Sequence, residues 1–410
     1  MNKIIKDRQY AKFCAYGFFK NLRFFEAFIL LFFLNQGLTF LQIGTLYAIR
    51  EIMINIFEIP SGLLADTAGR RKTLASSFVV YIISFVLFYA GSSYFTFALA
   101  MVCYALGDAV RSGVHKALIF EYLAQTNQTR LKVAYYGHTR SWSQLGSAVS
   151  SLAAGALVFL TDQMELVFLF SIIPYAIDFI NVLSYPASLD HFKLVPSVNW
   201  NERIRFVFKT FLQSFKTGYT IRALMNSSLY SGYYKSIKDY IQPLLGSLVL
   251  QVPLMYSITK HQQLALLIGV VYFIIFSMNS IASRHAHSMN KLFGSPEQTL
   301  NLTLLIGAIL GIITGVGMMS ELGYGLVFLF VILLVIENLR KPSGVAVVTE
   351  STDPSVHAGI LSASSQLSSG FTAIFAIVIG FVADHFSIGA GIGSISLFLV
   401  VALPFIKVKP

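Results

Sequence analysis

Apolar residues run through this chain in blocks too long for the helices of a soluble core, separated by short polar segments rich in lysine and arginine. About 20 apolar residues carry a helix across a bilayer. Blocks of that size lie at about 12–36, 41–65, 74–91, 95–120, 138–160 and 166–186. After a polar stretch they resume at about 220–246, 262–282, 298–318, 324–347, 358–382 and 388–406. The pattern predicts an all-α membrane protein with twelve transmembrane helices.

Composition agrees. Of the 410 residues, 55% are hydrophobic and 12% charged, where soluble domains carry roughly 25% charged residues. The net charge of +11 would suit a nucleic-acid binder if the chain were soluble. The bases instead sit between apolar blocks, which excludes nucleic acid as a partner and makes membrane lipids the surroundings. One side holds Lys3, Lys6 and Arg8, then Arg70, Arg71 and Lys72, then Arg130 and Lys132. It continues with Lys193 through Lys216, Arg284 and Lys291, and Lys407 and Lys409. The other side has Asp162, Glu165, Glu321 and Asp384, with Lys260 as its strong base. The excess of bases on the first side places both termini in the cytoplasm, with the chain in the cell's inner (plasma) membrane. The first block is broken by Lys20, Arg23 and Glu26 and has no small-residue cleavage site after it, so it reads as a span and not a leader. Cys14 and Cys103 form no disulfide or metal pattern, and no cofactor or metal is expected. His285 and His287 fall in a segment read as a basic cytoplasmic loop.

The polar stretch divides the chain into residues 1–186, a linker at 187–219, and residues 220–410. In the linker Ile204, Phe208, Phe211, Leu212 and Phe215 recur at helical spacing opposite Arg203, Arg205, Lys209 and Lys216. That is the pattern of an amphipathic helix lying on the membrane. The halves repeat one another. Asp108-x-x-Arg111 followed by Glu121 is matched by Glu337-x-x-Arg340 followed by Glu350. Ser143-Gln144-Leu145-Gly146-Ser147 leads to Asp162, as Ser365-Gln366-Leu367-Ser368-Ser369 leads to Asp384. Internal repeats mark secondary transporters, whose site lies between the repeats.

Between the second and third spans runs Gly62-Leu63-Leu64-Ala65-Asp66-Thr67-Ala68-Gly69-Arg70-Arg71-Lys72. This resembles the signature loop of the major facilitator superfamily (MFS), G-x-L-A-D-x-x-G-R-[RK]-[RK], at every defining position. The resemblance implies two pseudo-symmetric six-helix bundles and a gating latch made of Gly62, Asp66, Gly69, Arg70, Arg71 and Glu121. In the family the arginine at the place of Arg70 pairs with an acid at the place of Glu121, and the aspartate faces span 11. On physical grounds Gly62 would let two helices approach closely, and Gly69 would permit a turn at positive φ. The second copy of the loop, near Asn279 to Arg284, has lost its glycine and acid. Span 5 is rich in small residues between Gly146 and Gly155, as close helix packing needs.

Ionisable residues inside spans are costly and face a cavity or one another. Here they fall on four spans: Lys20, Arg23 and Glu26 on the first, and Asp108, Arg111, His115 and Lys116 on the fourth. Span 7 carries Lys235, Lys238, Asp239 and Gln242, and span 10 carries Glu337, Arg340 and Lys341. The resemblance implies that helices 1, 4, 7 and 10 line a central cavity, while 3, 6, 9 and 12 face lipid. Arg23, Glu26, Asp108, Arg111, His115, Lys235, Lys238, Asp239, Gln242, Glu337 and Arg340 are the candidate cavity residues. Glu26, Asp108, Asp239 and Glu337 are the candidate proton carriers. Asp108 with Arg111, and Glu337 with Arg340, also stand at the spacing of simple neutralising pairs. Lys20, Lys116 and Lys341 lie nearer the span ends, where snorkelling to the surface is expected. Arg50, Glu51 and Asp178 are further intramembrane charges.

Bases outnumber acids, which leans toward an anionic or zwitterionic solute. The expected function is proton-coupled secondary transport of a small solute, of the drug or metabolite efflux type, by a monomer. A lipid or lysolipid flippase of the same fold is the alternative. A transporter-like sensor and a membrane-embedded enzyme stand further off. The first would need an added domain, and the second finds no nucleophile or metal constellation.

Overall fold

The computed structural model describes residues 5–190, 218–251, 258–320, 323–350 and 357–409. Within them the chain is helical, with no strand among the described residues. The linker helix expected at 187–219 lies outside the described residues beyond Asp190. Fifteen α-helices are described. They are α1 (Arg8–Phe19), α2 (Ile29–Asn35), α3 (Phe40–Ala68), α4 (Arg70–Ala90), α5 (Tyr94–Arg111), α6 (Val114–Gln125), α7 (Lys132–Thr161) and α8 (Leu166–Leu183). There follow α9 (Gly218–Ile237), α10 (Ile241–Gln251), α11 (Lys260–Phe293), α12 (Pro296–Met319), α13 (Gly325–Glu350), α14 (His357–His385) and α15 (Ile388–Ile406).

Nine helical stretches among the described residues are long and apolar enough to cross a membrane. They answer to spans 2–6, 8, 9, 11 and 12. The three missing from that set, spans 1, 7 and 10, are three of the four on which charge is concentrated; span 4 carries Asp108, Arg111, His115 and Lys116 and stays within the set. Span 1 is broken between α1 and α2, where a 3-10 turn at Phe24–Ala27 follows Lys20 and Arg23. The Asn21 side chain caps the end of α1 by donating to the Gly17 carbonyl at 2.7 Å. Span 7 is tightened in the same manner at Lys238–Tyr240. Span 4 bends at Ser112–Gly113, where Gly113 has φ +75°. Span 10 runs unbroken as α13 through Pro342.

By contacts the chain forms two compact units that do not follow the chain halves. One comprises Met1–Phe32, Met53–Pro196 and Pro253–Phe276; the other Phe33–Ile52, Ser197–Val252 and Ser277–Pro410. The long helices α3 and α11 each pass from one unit into the other.

The first unit is held by an aromatic core. Phe25 stacks on Phe168 (5.7 Å) and meets Tyr104 edge-on, while Phe85 and Tyr81 contact Tyr175 edge-to-face. Such pairs add roughly 0.5–1.5 kcal/mol each beyond their buried area. In the second unit Leu224, Leu300, Val347, Ile360 and Val408 form a buried aliphatic cluster. Outward stripes complete the picture. Val79, Ile83 and Val86 on α4 and Ile173, Ile177 and Ile180 on α8 are exposed in the first unit. Leu302, Ile306, Ile309, Ile313 and Val316 on α12 and Leu397, Phe398, Val401 and Phe405 on α15 are exposed in the second. These are spans 3, 6, 9 and 12. Side chains so apolar and so spaced suit hydrocarbon.

The signature loop is shorter than the sequence suggests, because α3 continues to Ala68 and α4 begins at Arg70. Gly69 alone makes the turn, with φ +95°, as expected. Asp190, which the sequence reading did not single out, closes this turn. It accepts from the Arg71 backbone N–H at 2.8 Å and pairs with Arg71 Nε at 3.4 Å. A methyl group at Gly69 would meet the Asp190 carboxylate at 2.8 Å. Gly69→Ala is therefore expected to destabilise the purified protein by about 1–3 kcal/mol, and Asp190→Ala by about 1 kcal/mol. Both are read as lowered Tm.

One expectation is corrected, that of a loop at His285 and His287. His285 and His287 lie in α11, which runs on to Phe293; the segment is helix because only Gly294, at φ +92°, breaks it. No metal-holding cluster occurs among the described residues.

Candidate functional site

In the first unit the charges of spans 1 and 4 meet. Asp108, in the last turn of α5, pairs with Arg111 Nη2 at 2.8 Å. Tyr81 of α4 donates its hydroxyl to Asp108 and accepts from Arg111 Nε at 3.1 Å. Arg23 lies 3.8 Å from Glu26. His115, in the first turn of α6, stacks on Tyr16 with centroids 3.6 Å apart and planes at 11°. Its Nε2 is buried with no hydrogen-bond partner among the described residues.

A cavity of about 280 Å³ opens beside these groups. Its walls come from α1, the α5–α6 bend and the first half of α7, and include Tyr16, Lys20, Arg111, His115, Lys116 and Arg140. Gly17 and Gly146 bring the walls together: a Cβ at Gly17 would lie 2.9 Å from the Thr139 carbonyl, and Gly146 sits against the Phe18 backbone. The small residues of span 5 thus do the close packing expected of them. Lys116 and Lys341 are exposed, Lys116 from within the cavity wall. Lys20 is not. It is 8% exposed, because the break after α1 turns it into the cavity wall.

In the second unit Glu51 of α3 is buried and holds two bases, Arg50 at 3.0 Å and Lys235 at 3.2 Å. Lys235 Nζ also donates to Ser369 Oγ of the repeated serine motif at 3.5 Å. Lys238 pairs with Asp239 at 3.7 Å, and Gln242 is buried one turn further on. Glu337 is buried on α13 and accepts from the Ser231 hydroxyl.

Arg340 does not pair with Glu337 within ion-pair distance. It is 1% exposed, and its Nη2 donates to Asn226 Oδ1 at 2.6 Å while its Nε donates to Thr303 Oγ1 at 3.3 Å. Its guanidinium lies over the Tyr230 ring at 4.3 Å. The residue that the spacing placed in a cavity stands among α9, α12 and α13, inside the unit's own core. Asn226, Thr303 and Tyr81 were missed in the sequence because an uncharged polar residue in an apolar run carries no signal of its own partner.

The two repeat-matched acids each reach the start of another long helix, in different ways. Asp384, at the end of α14, accepts from the backbone N–H groups of Phe40 and Leu41, each at 2.8 Å, and so caps α3. Asp162, at the end of α7, bonds His261 in the first turn of α11. Asp384→Ala is expected to lower stability by about 1 kcal/mol through the lost cap, measured as a fall in Tm. The side chains of Asp66 and Glu350 lie outside those described.

Comparison with known proteins gives the arrangement a family. The model for the Major Facilitator Superfamily matches residues 13–339. A stretch of 89 residues is 38% identical to an uncharacterized MFS-type transporter, YxaM, of Bacillus subtilis (strain 168). That stretch covers 22% of each chain, so the match spans about a fifth of the relative's length. Among solved structures, a mutant form of the nucleoside transporter NupG superposes with TM-score 0.74 at 15% identity, over 97% of both chains. A POT family transporter in complex with a thioalcohol-conjugated peptide gives TM-score 0.73 at 15% identity, over 98% of this chain and 97% of that one. These two show the fold. The signature loop, the apolar spanning helices and a family match across most of the chain lead to one assignment: this multi-pass membrane protein belongs to the Major Facilitator Superfamily, a family of transporters and not of enzymes.

Proposed function

We propose that the protein is a secondary transporter that carries a small anionic or amphipathic solute by alternating access. It has twelve spans, the nine apolar helices together with spans 1, 7 and 10, and both termini lie on the cytoplasmic side of the inner (plasma) membrane. The moving parts are the halves 1–186 and 220–410, tied by the amphipathic stretch 187–219. Gly62, Asp66, Gly69, Arg70, Arg71 and Glu121 form the latch, and Glu26, Asp108, Asp239 and Glu337 carry the protons that couple transport, in the manner of drug or metabolite efflux.

The observation that carries this reading is the cavity of about 280 Å³ walled by ionisable side chains from membrane-spanning helices. Charge at that depth is expensive and persists where it faces a pathway or a partner. The solved nucleoside and peptide transporters of the same fold support carriage of a small polar solute.

The test begins with purified protein, warmed against a panel of organic anions, drugs and lysolipids. A ligand that raises Tm is then followed in membrane vesicles. Flux of that ligand should fall when the proton gradient is collapsed; flux that continues unchanged removes the coupling.

A further inference from the structure

Lys20 is nine-tenths buried, and among the described residues its ammonium makes no hydrogen bond and has no carboxylate within 4.0 Å. Asp108, Glu26 and Asp178 are the acids nearest in its electrostatic surroundings, and all stand beyond ion-pair distance. All three are engaged elsewhere, Asp108 by Arg111 and Tyr81, Glu26 by Arg23 at 3.8 Å, and Asp178 by Asn181 Nδ2 at 3.2 Å. An unpaired buried charge is costly enough that structures keep one where something arrives to pair with it.

What arrives must be negative. The cavity that Lys20 walls also carries Arg111, Lys116 and Arg140, and its lining includes no aspartate or glutamate. Arg111 is already oriented by Asp108 and Tyr81, so it can meet a ligand without losing side-chain freedom at that moment. His115 adds a buried ring nitrogen with no hydrogen-bond partner among the described residues. A volume of about 280 Å³ is at the small end of ligand sites. It accommodates a small organic acid or a phosphate monoester better than an extended chain.

We propose that this cavity is an oxyanion site in which a carboxylate or phosphoryl group of the solute seats between Lys20 and Arg111. The proposal rests on the transporter reading above and narrows its solute to a class. With several bases and no acid in the wall, dianions bind more tightly than monoanions of similar size. Charge-assisted hydrogen bonds to the two bases supply the affinity. The same chemistry could come from a soluble metabolite or from a lysolipid headgroup.

The experiment is calorimetric titration of the full chain in neutral detergent with citrate, glucose 6-phosphate, lactate and lysophosphatidylglycerol. Citrate or glucose 6-phosphate should bind more tightly than lactate. Lys20→Met should weaken that binding by about ten- to a hundredfold, the loss of one charged hydrogen bond, while Lys20→Arg should retain most of it. Lys20→Met removes an unpaired buried charge, so its Tm should not fall, which separates lost binding from lost fold. Tighter binding of the lysolipid than of the soluble anions, with the same Lys20 dependence, would make the headgroup the source. Unchanged affinity in Lys20→Met, or failure of all four probes to bind the wild-type chain, overturns the site. The two readings fail separately. Flux with binding indifferent to Lys20 leaves the transporter and removes the site, whereas Lys20-dependent binding without any flux does the reverse.

Discussion

Arg340→Met should lower the Tm of the purified protein by several degrees, a loss of about 3 kcal/mol or more, with little direct effect on solute binding. The guanidinium is 1% exposed and joins three helices: α13, which bears it, α9 through Asn226, and α12 through Thr303 and the Leu300 carbonyl at 3.4 Å. Removing it leaves Asn226 Oδ1, on a fully buried side chain, without its 2.6 Å donor. Methionine keeps an apolar stem but not the guanidinium that lies 4.3 Å over the Tyr230 ring. Arg340→Lys should recover little, because one ammonium cannot make the forked contacts of a planar guanidinium. The measurement is thermal unfolding in detergent alongside the anion titration. A variant with normal Tm and abolished solute binding would instead make Arg340 a cavity ligand.

Asp108→Ala is expected to have an effect of similar size for a different reason. It removes the 2.8 Å partner of Arg111 and the acceptor of the Tyr81 hydroxyl, leaving a guanidinium unneutralised beside Lys20. Asp108 and Arg111 side chains are 19% and 22% exposed, so the loss is discounted from the fully buried case to about 2–3 kcal/mol. The double variant Asp108→Asn with Arg111→Gln should recover part of that stability, since neither charge is then left alone. It should bind anions more weakly than the wild type, since Arg111 is lost and Lys20 remains. A double variant as unstable as Asp108→Ala would mean the pair contributes packing and not charge balance.

How these residues divide between core and cavity was only partly open to sequence reasoning. The apolar blocks announce the spanning helices because hydrocarbon demands long unbroken runs, and the signature loop announces the turn at Gly69. The same demand explains why spans 1, 7 and 10 stand out. Charge at Lys20, Lys238 and Glu337 both weakens their hydropathy and, in spans 1 and 7, accompanies a break in the helix. What spacing could not tell was where a side chain ends. Glu337 and Arg340 sit at the i, i+3 spacing of a pair, yet Arg340 reaches Asn226, 114 positions away. Lys20 sits near a span end, where snorkelling was expected, but the break after α1 turns it inward. Asp190 was invisible because it lies beyond the sixth span, and only the folded chain brings it to Arg71. The repeat fared differently: Asp162 and Asp384 were matched by position alone, and each bonds the first turn of another long helix.

The most direct test of the account is counterflow in proteoliposomes. Vesicles containing the purified protein are loaded with an unlabelled anion that raises its Tm, then diluted into a trace of the same anion in labelled form. A carrier with alternating access accumulates label transiently inside, and Lys20→Met should abolish the overshoot at the same protein density. Label that never exceeds the level in empty liposomes, for every anion that binds, would contradict it.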